Sequence, residues 1–150
     1  MPNPSFTLDL VREFEADMNV LMAAIQDAME HEVLDVAKEA LVESAVQRVY
    51  DAYPEATGYQ RRQRGGLMDI HNLNHSVESF DNTVTLTVSN DTPFQGSPAD
   101  YTDLPTVITE GNTAFRQPFP RPFMWEGVHD VVENGEIMAA LDRGLARHGF

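Results

Sequence analysis

The chain has 150 residues, 42% of them hydrophobic, and a formal charge of −14 from 24 acidic against ten basic residues. It contains no cysteine, which excludes disulfides, thiolate zinc sites and cysteine nucleophiles, and the reading is of one soluble domain folded in a reducing cytoplasm. No apolar run approaches the roughly 20 residues needed to span a membrane, no secretory signal is evident, and so acidic a surface repels nucleic-acid phosphates wherever its cations are not gathered.

Residues 5 to 57 hold no glycine and one proline, Pro54. From Phe14 the apolar positions run Met18, Leu21, Met22, Ile25, Met29, Val33, Val36 and Ala40, spaced by threes and fours as one helical face requires. Ser5 and Thr7 are candidate N-caps, with Asp9 suited to the first turn. Pro54 forces Tyr53 out of helical space, so the helix stops at Ala52 or Tyr53. Unbroken from Thr7 to Ala52 it would be about 69 Å long, against about 40 Å for the diameter of a globule of this size. The helix therefore either breaks or reaches a partner. Its polar face, with Asp17, Asp27, Glu30, Glu39 and Glu43, reads as solvated. Its surplus apolar face, at Met18, Met22 and Ile25, is expected to be covered by another subunit, methionine being adaptable to irregular partners.

Residues 54–68 read as a polar connector ending in Gly65 and Gly66, where a sharp turn is easily made. The chain then has an irregular strand in 69–80, a turn at Asp81-Asn82, and a cleanly alternating strand from Thr83 to Ser89 with Val84, Leu86 and Val88 on one face. Residues 90–121 form a long loop holding six of the nine prolines from Pro93 on, counting Pro122 at its border. Phe94, Tyr101, Leu104, Val107, Ile108, Phe115 and Phe119 make this loop too apolar for a disordered tail, and Thr106 to Thr109 reads as a short strand. Pro122 suits the first position of a helix carrying Phe123, Trp125, Val128, Val131 and Val132. Phe119, Phe123 and Trp125 read as the joint that packs this helix on the sheet. Asn134-Gly135 ends or kinks it, and a last amphipathic turn uses Ile137, Met138, Leu141 and Leu145, closing with Arg147, His148 and Gly149. The fold class is α+β: a long N-terminal helix and C-terminal helices (122–150) on a small antiparallel sheet, with a long proline-rich loop, in one domain.

The search for chemistry returns little. His71 and His75 are placed on a strand, where four residues span about 13 Å and one ion cannot join them directly. No serine lies in a nucleophile elbow and no glycine pattern makes a phosphate loop. No catalytic residue, metal or cofactor is expected. Arg61, Arg62 and Arg64 are the one candidate basic patch, and three arginines are few for duplex DNA. They read instead as partners for the carboxylates of a neighbouring subunit.

Several short pieces, in this order, carry a family resemblance: RVYDAYPEATGYQRRQRGGLMDIHNLN from Arg48 to Asn74, TVTLTVSNDTP, LPTVITEG, RPFMWE and GEIMAALDRGLARHG. From Val46 to the C-terminus the chain resembles the tail-completion family of long-tailed double-stranded-DNA bacteriophages, whose members are often labelled minor capsid or head-tail joining proteins. It departs from that pattern in the extra arginines before Gly65-Gly66 and in its very acidic first helix. The resemblance implies a non-enzymatic virion protein, made in the host cytoplasm and placed at the neck. It further implies a ring of this chain, hexameric or dodecameric, between a head-closure or connector protein and the tail tube or tail terminator, with no membrane or specific nucleic-acid partner. The residues expected at subunit interfaces are Arg61, Arg62, Arg64, Met18, Met22, Ile25, Phe94 and Tyr101. The rival reading is a small acidic inhibitor or DNA mimic that occupies a nucleic-acid-binding protein; a hydrolase is a remote third.

Overall fold

The computed structural model describes residues 17–51, 66–93, 108 and 122–150. The absence of glycine and internal proline is expressed as one helix, α1, running without a break over residues 17–50, about 51 Å at 1.5 Å per residue. Two π segments lie within it, Met29–Val33 and Val46–Tyr50, on either side of the α-helical stretch Leu34–Ala45. The candidate caps Ser5 and Thr7, and the expected stop at Ala52 or Tyr53, lie outside the described residues.

The buried face of α1 is not the large-residue stripe that periodicity selects. Fully buried positions are Ala24, Ala28, Val33, Leu34, Ala37, Ala40, Leu41, Ser44, Ala45 and Val49. Met18, Leu21, Met22, Ile25 and Met29 flank this ridge, each half-buried in the single chain. Small residues win the centre because two other helices cross α1 at close range. The five-residue step from Ala28 to Val33 is the first π segment, which adds a residue to the turn and keeps the ridge in line.

After α1 come the 3-10 turn Ile70–Asn72 and the strands β1, Leu73–Phe80, and β2, Thr83–Asn90. They pair antiparallel without a bulge, from Leu73↔Asn90 to Phe80↔Thr83. The irregularity expected in 69–80 is instead this 3-10 turn, which delays the strand and places His71 outside it; Asp69 caps the turn by accepting from the His71 N–H at 3.0 Å. Asp81 and Asn82 both adopt positive φ, 47° and 60°. Two successive left-handed residues twist a two-residue turn to match right-handed strands. One face of the hairpin is polar and exposed; Val77, Val84, Leu86 and Val88 on the other are half-buried.

The C-terminal region forms α2, Phe123–Glu133, and α3, Glu136–Arg147. Pro122 is the N-cap of α2 and not its first residue. Gly135, at φ 82°, separates the helices in the left-handed region that favours glycine, and Asn134 Oδ1 accepts from the Glu136 N–H at 3.0 Å. What reads from sequence as a last amphipathic turn is thus a full helix of 12 residues. α2 lies along the Leu34–Ala45 stretch of α1, and α3 along its first π segment. The core gathers Ala45, Val49, Leu67, Ile108 and Phe123, with Tyr50 and Met124 at its edge. Ile108 is the single described residue of the expected strand Thr106 to Thr109, and it is helical. The helix-on-sheet joint is also corrected. Phe123 is buried with Ala45, Val49, Leu67 and Ile108 and not with strand residues, Trp125 is 66% exposed, and Phe119 lies outside the described residues. No helix among the described residues is long and apolar enough to cross a membrane.

Candidate assembly interface

Two tight crossings fix the helices, and each is locked by an arginine. At the first, a Cβ built on Gly127 of α2 would lie 2.8 Å from Ser44 Cβ, so only glycine allows this approach. Ser44 is buried and its hydroxyl donates to the Phe123 carbonyl at 2.6 Å while accepting from Arg48 Nη1 at 2.8 Å. Arg48 then reaches Glu126 at 2.8 Å and Asp130 at 2.6 Å on α2. At the second, a Cβ on Gly144 of α3 would fall inside the Ala28 methyl group and against Glu32 Oε2. Arg147 closes this crossing by donating to Glu32 at 2.7 Å and Asp27 at 2.5 Å, and His148 adds a bond to Asp27 at 2.7 Å. Asp27, expected to be solvated, is therefore an anchor for α3.

The second clamp has an electrostatic signature. The His148 ring and then the Arg147 guanidinium hold the Asp27 carboxyl below its ordinary range, and Arg147 does the same to Glu32. Glu32 and Asp27 in turn raise Arg147. The Asp27 backbone carbonyl, accepting from the His31 ring, raises His31. Depressed carboxylates contribute stability that is present above their unfolded values, 3.8 and 4.5, and is lost as pH falls through the folded ones. The raised histidine contributes stability that is present below 6.5 and is lost as pH rises through its folded value. Thermal melting against pH should therefore be highest between the carboxylate and histidine ranges, and Arg147→Gln should flatten the acid limb. An acid limb unchanged in that variant would show that the clamp does not couple to folding.

A polar latch ties the connector to the base of the hairpin. Asn90 Nδ2 donates to the Leu67 carbonyl at 3.1 Å, and Asn90 Oδ1 accepts from the Thr92 N–H at 3.1 Å and from its hydroxyl at 2.5 Å. Asn72 Nδ2 donates to the Gly66 carbonyl at 3.0 Å. Asn90 and Thr92 are both buried. Gly66-Leu67 and Asn90-Asp91-Thr92 are thus two halves of one contact.

Among the described residues, three exposed surfaces are prominent. On α2, Trp125, Val128 and Val132 form an exposed apolar row, with Trp125 stacked on His129 at 4.8 Å between ring centroids. The hairpin ends in Phe80, 83% exposed, and its two strands are the whole sheet among the described residues. Between α1 and the 3-10 turn lies an open groove of about 780 Å³ lined by Glu39, Val42, Glu43, Met68, Asp69, Ile70 and His71. Met68 and Ile70 are 39% and 45% exposed there. No group of three or more histidine, aspartate or glutamate side chains among the described residues could hold a metal ion. Of the expected interface residues, Met18, Met22 and Ile25 lie together along the N-terminal half of α1, half-buried, whereas Arg61, Arg62, Arg64, Phe94 and Tyr101 lie outside the described residues. Sequence reasoning missed the groove and both clamping arginines. Small-residue spacing, Ala28 and Ser44 on one helix with Gly127 and Gly144 on the others, is the signal that marks the crossings.

The model of the YomN family matches residues 13–147. The chain belongs to the YomN family. YomN proteins derive from phage, of Bacillus prophage origin, so this is a phage-associated protein. No curated protein and no solved structure matches the chain.

Proposed function

We propose that this YomN-family protein is a structural, non-catalytic subunit of the phage neck, forming a ring that joins the tail tube to the head-closure or connector complex. The observation that carries this reading is the phage origin of the family, taken with the ordered series of pieces that resembles tail-completion proteins. Two of those pieces, around Gly66-Leu67 and Asn90-Thr92, are in direct contact through the latch, which is compatible with their belonging to one unit. The open surfaces are consistent with a subunit that works by contact. A tryptophan row, an exposed hairpin tip at Phe80 and an apolar groove on one chain are several distinct faces, and a ring needs at least two different faces to join head to tail. In this reading the protein acts in the virion, at the head–tail junction. The test is the particle phenotype when the chain is absent: DNA-filled heads and complete tails that remain unjoined.

A further inference from the structure

We infer that Asn134-Gly135, the junction between α2 and α3, is a site of covalent modification in this chain: Asn134 deamidates to aspartate and isoaspartate, at a rate that the Glu136 side chain restrains.

Asparagine is labile where the next residue is glycine, because without a Cβ on that residue its backbone nitrogen can close on the asparagine Cγ. Of the asparagines in the chain, only Asn134 is followed by glycine. Asn134 is exposed, so water reaches it. The attacking nitrogen is loosely held, since the Gly135 N–H donates to the Val132 carbonyl at 3.3 Å, beyond the usual range for such a bond. Among the described residues nothing lies within 4 Å of a Cβ built on Gly135, so no packing fixes the turn at that point.

The restraint acts on the side chain. Asn134 Oδ1 accepts from the Glu136 N–H and Asn134 Nδ2 donates to Glu136 Oε1, each at 3.0 Å. Both bonds hold Cγ against the first turn of α3 while Asn134 stays at ψ −2°, and ring closure needs ψ to turn well away from that value. The reaction therefore passes through a local opening of the junction. The Gly135 nitrogen then yields its proton to solvent hydroxide and bonds to Asn134 Cγ. The Cγ–Nδ2 bond breaks, and Nδ2 takes a proton from water and leaves as ammonia. Water opens the resulting imide at Cγ, giving aspartate, or at the main-chain carbonyl carbon, giving isoaspartate. Aspartate keeps an acceptor for the Glu136 N–H but sets a carboxylate against Glu136 Oε1. Isoaspartate adds a main-chain carbon between two helices that are each fixed by their own crossing, at Gly127 and Gly144, and so works against the clamp on α3.

The full chain is incubated at mildly alkaline pH, and conversion is followed by peptide mass spectrometry with fragmentation that separates the two isomers. It should appear at Asn134 before Asn74 or Asn82, which are also exposed. Each rate is divided by that of the same chain unfolded in urea, which removes the effect of a neighbouring charge on the chemistry itself, and circular dichroism shows that each variant is folded. So normalised, Glu136→Ala should convert roughly threefold faster than the native chain, whereas Glu136→Gln, which retains an acceptor, should convert at the native rate. Conversion at Asn134 no faster than at Asn74 and Asn82, a Glu136→Ala rate equal to the native one, or a Glu136→Gln rate equal to that of Glu136→Ala would each overturn the inference.

Discussion

Replacing Gly144 with leucine is expected to lower the unfolding free energy by about 3 kcal/mol, near the upper end for overpacking a tight contact. A Cβ there meets the Ala28 methyl and Glu32 Oε2, and backbone lies directly behind the methyl, so no rotamer relieves the clash and α3 must lift from α1. Lifting it also separates Arg147 from Asp27 and Glu32. Chemical denaturation measures the loss. The cause is checked by pairing Gly144→Ala with Ala28→Gly: Ala28→Gly alone costs about 1 kcal/mol of helix propensity, yet the pair should be more stable than the sum of the two single variants predicts, the sign of direct contact. Strict additivity would mean that the crossing is looser than the geometry indicates.

Removing the latch is expected to have a comparable effect. Asn90→Ala takes away the donor to the Leu67 carbonyl and the acceptor of the Thr92 N–H, while the Thr92 hydroxyl keeps the Gly66 carbonyl at 3.1 Å. Because Asn90 and Thr92 are buried, the groups left behind are not met by bulk water, and each unsatisfied buried polar group costs about 1–3 kcal/mol. A total loss of about 3 kcal/mol is expected, seen as a lower denaturation midpoint at unchanged slope. Asn74→Ala is the control. Asn74 bonds Asp91 at the exposed surface, and its loss should change stability by about 0.5 kcal/mol or less. Equal effects at the two positions would contradict the latch.

The parts of the fold that were legible in the sequence are those set by local rules. Absence of glycine from residues 5–57, with Pro54 the one proline near their end, specifies a long helix, and strict alternation from Val84 to Val88 with Asp81-Asn82 before it specifies the hairpin. The parts that were not legible depend on what meets what. Periodicity weighted by side-chain size draws the apolar face of α1 from Met18 through Met29 and Val36, and it cannot register that a close helix crossing prefers Ala28 and Ser44. Trp125 groups in the sequence with Phe119 and Phe123 as aromatics at a proline-rich elbow, although its outward position leaves it 66% exposed. Arg147 reads from sequence only as part of a helix C-terminus and Arg48 only as the start of a resembling piece; their partners Asp27 and Asp130 lie 120 and 82 residues away, beyond any local pattern. The groove is likewise a product of tertiary packing, joining Glu39 and Glu43 to residues after the connector.

Electron microscopy of lysates from a phage whose copy of this chain is disrupted tests the central claim most directly. The neck reading predicts DNA-filled heads and complete tails lying apart, with joined particles restored when the intact chain is supplied in trans. Joined, infectious particles in normal yield without the chain would contradict it.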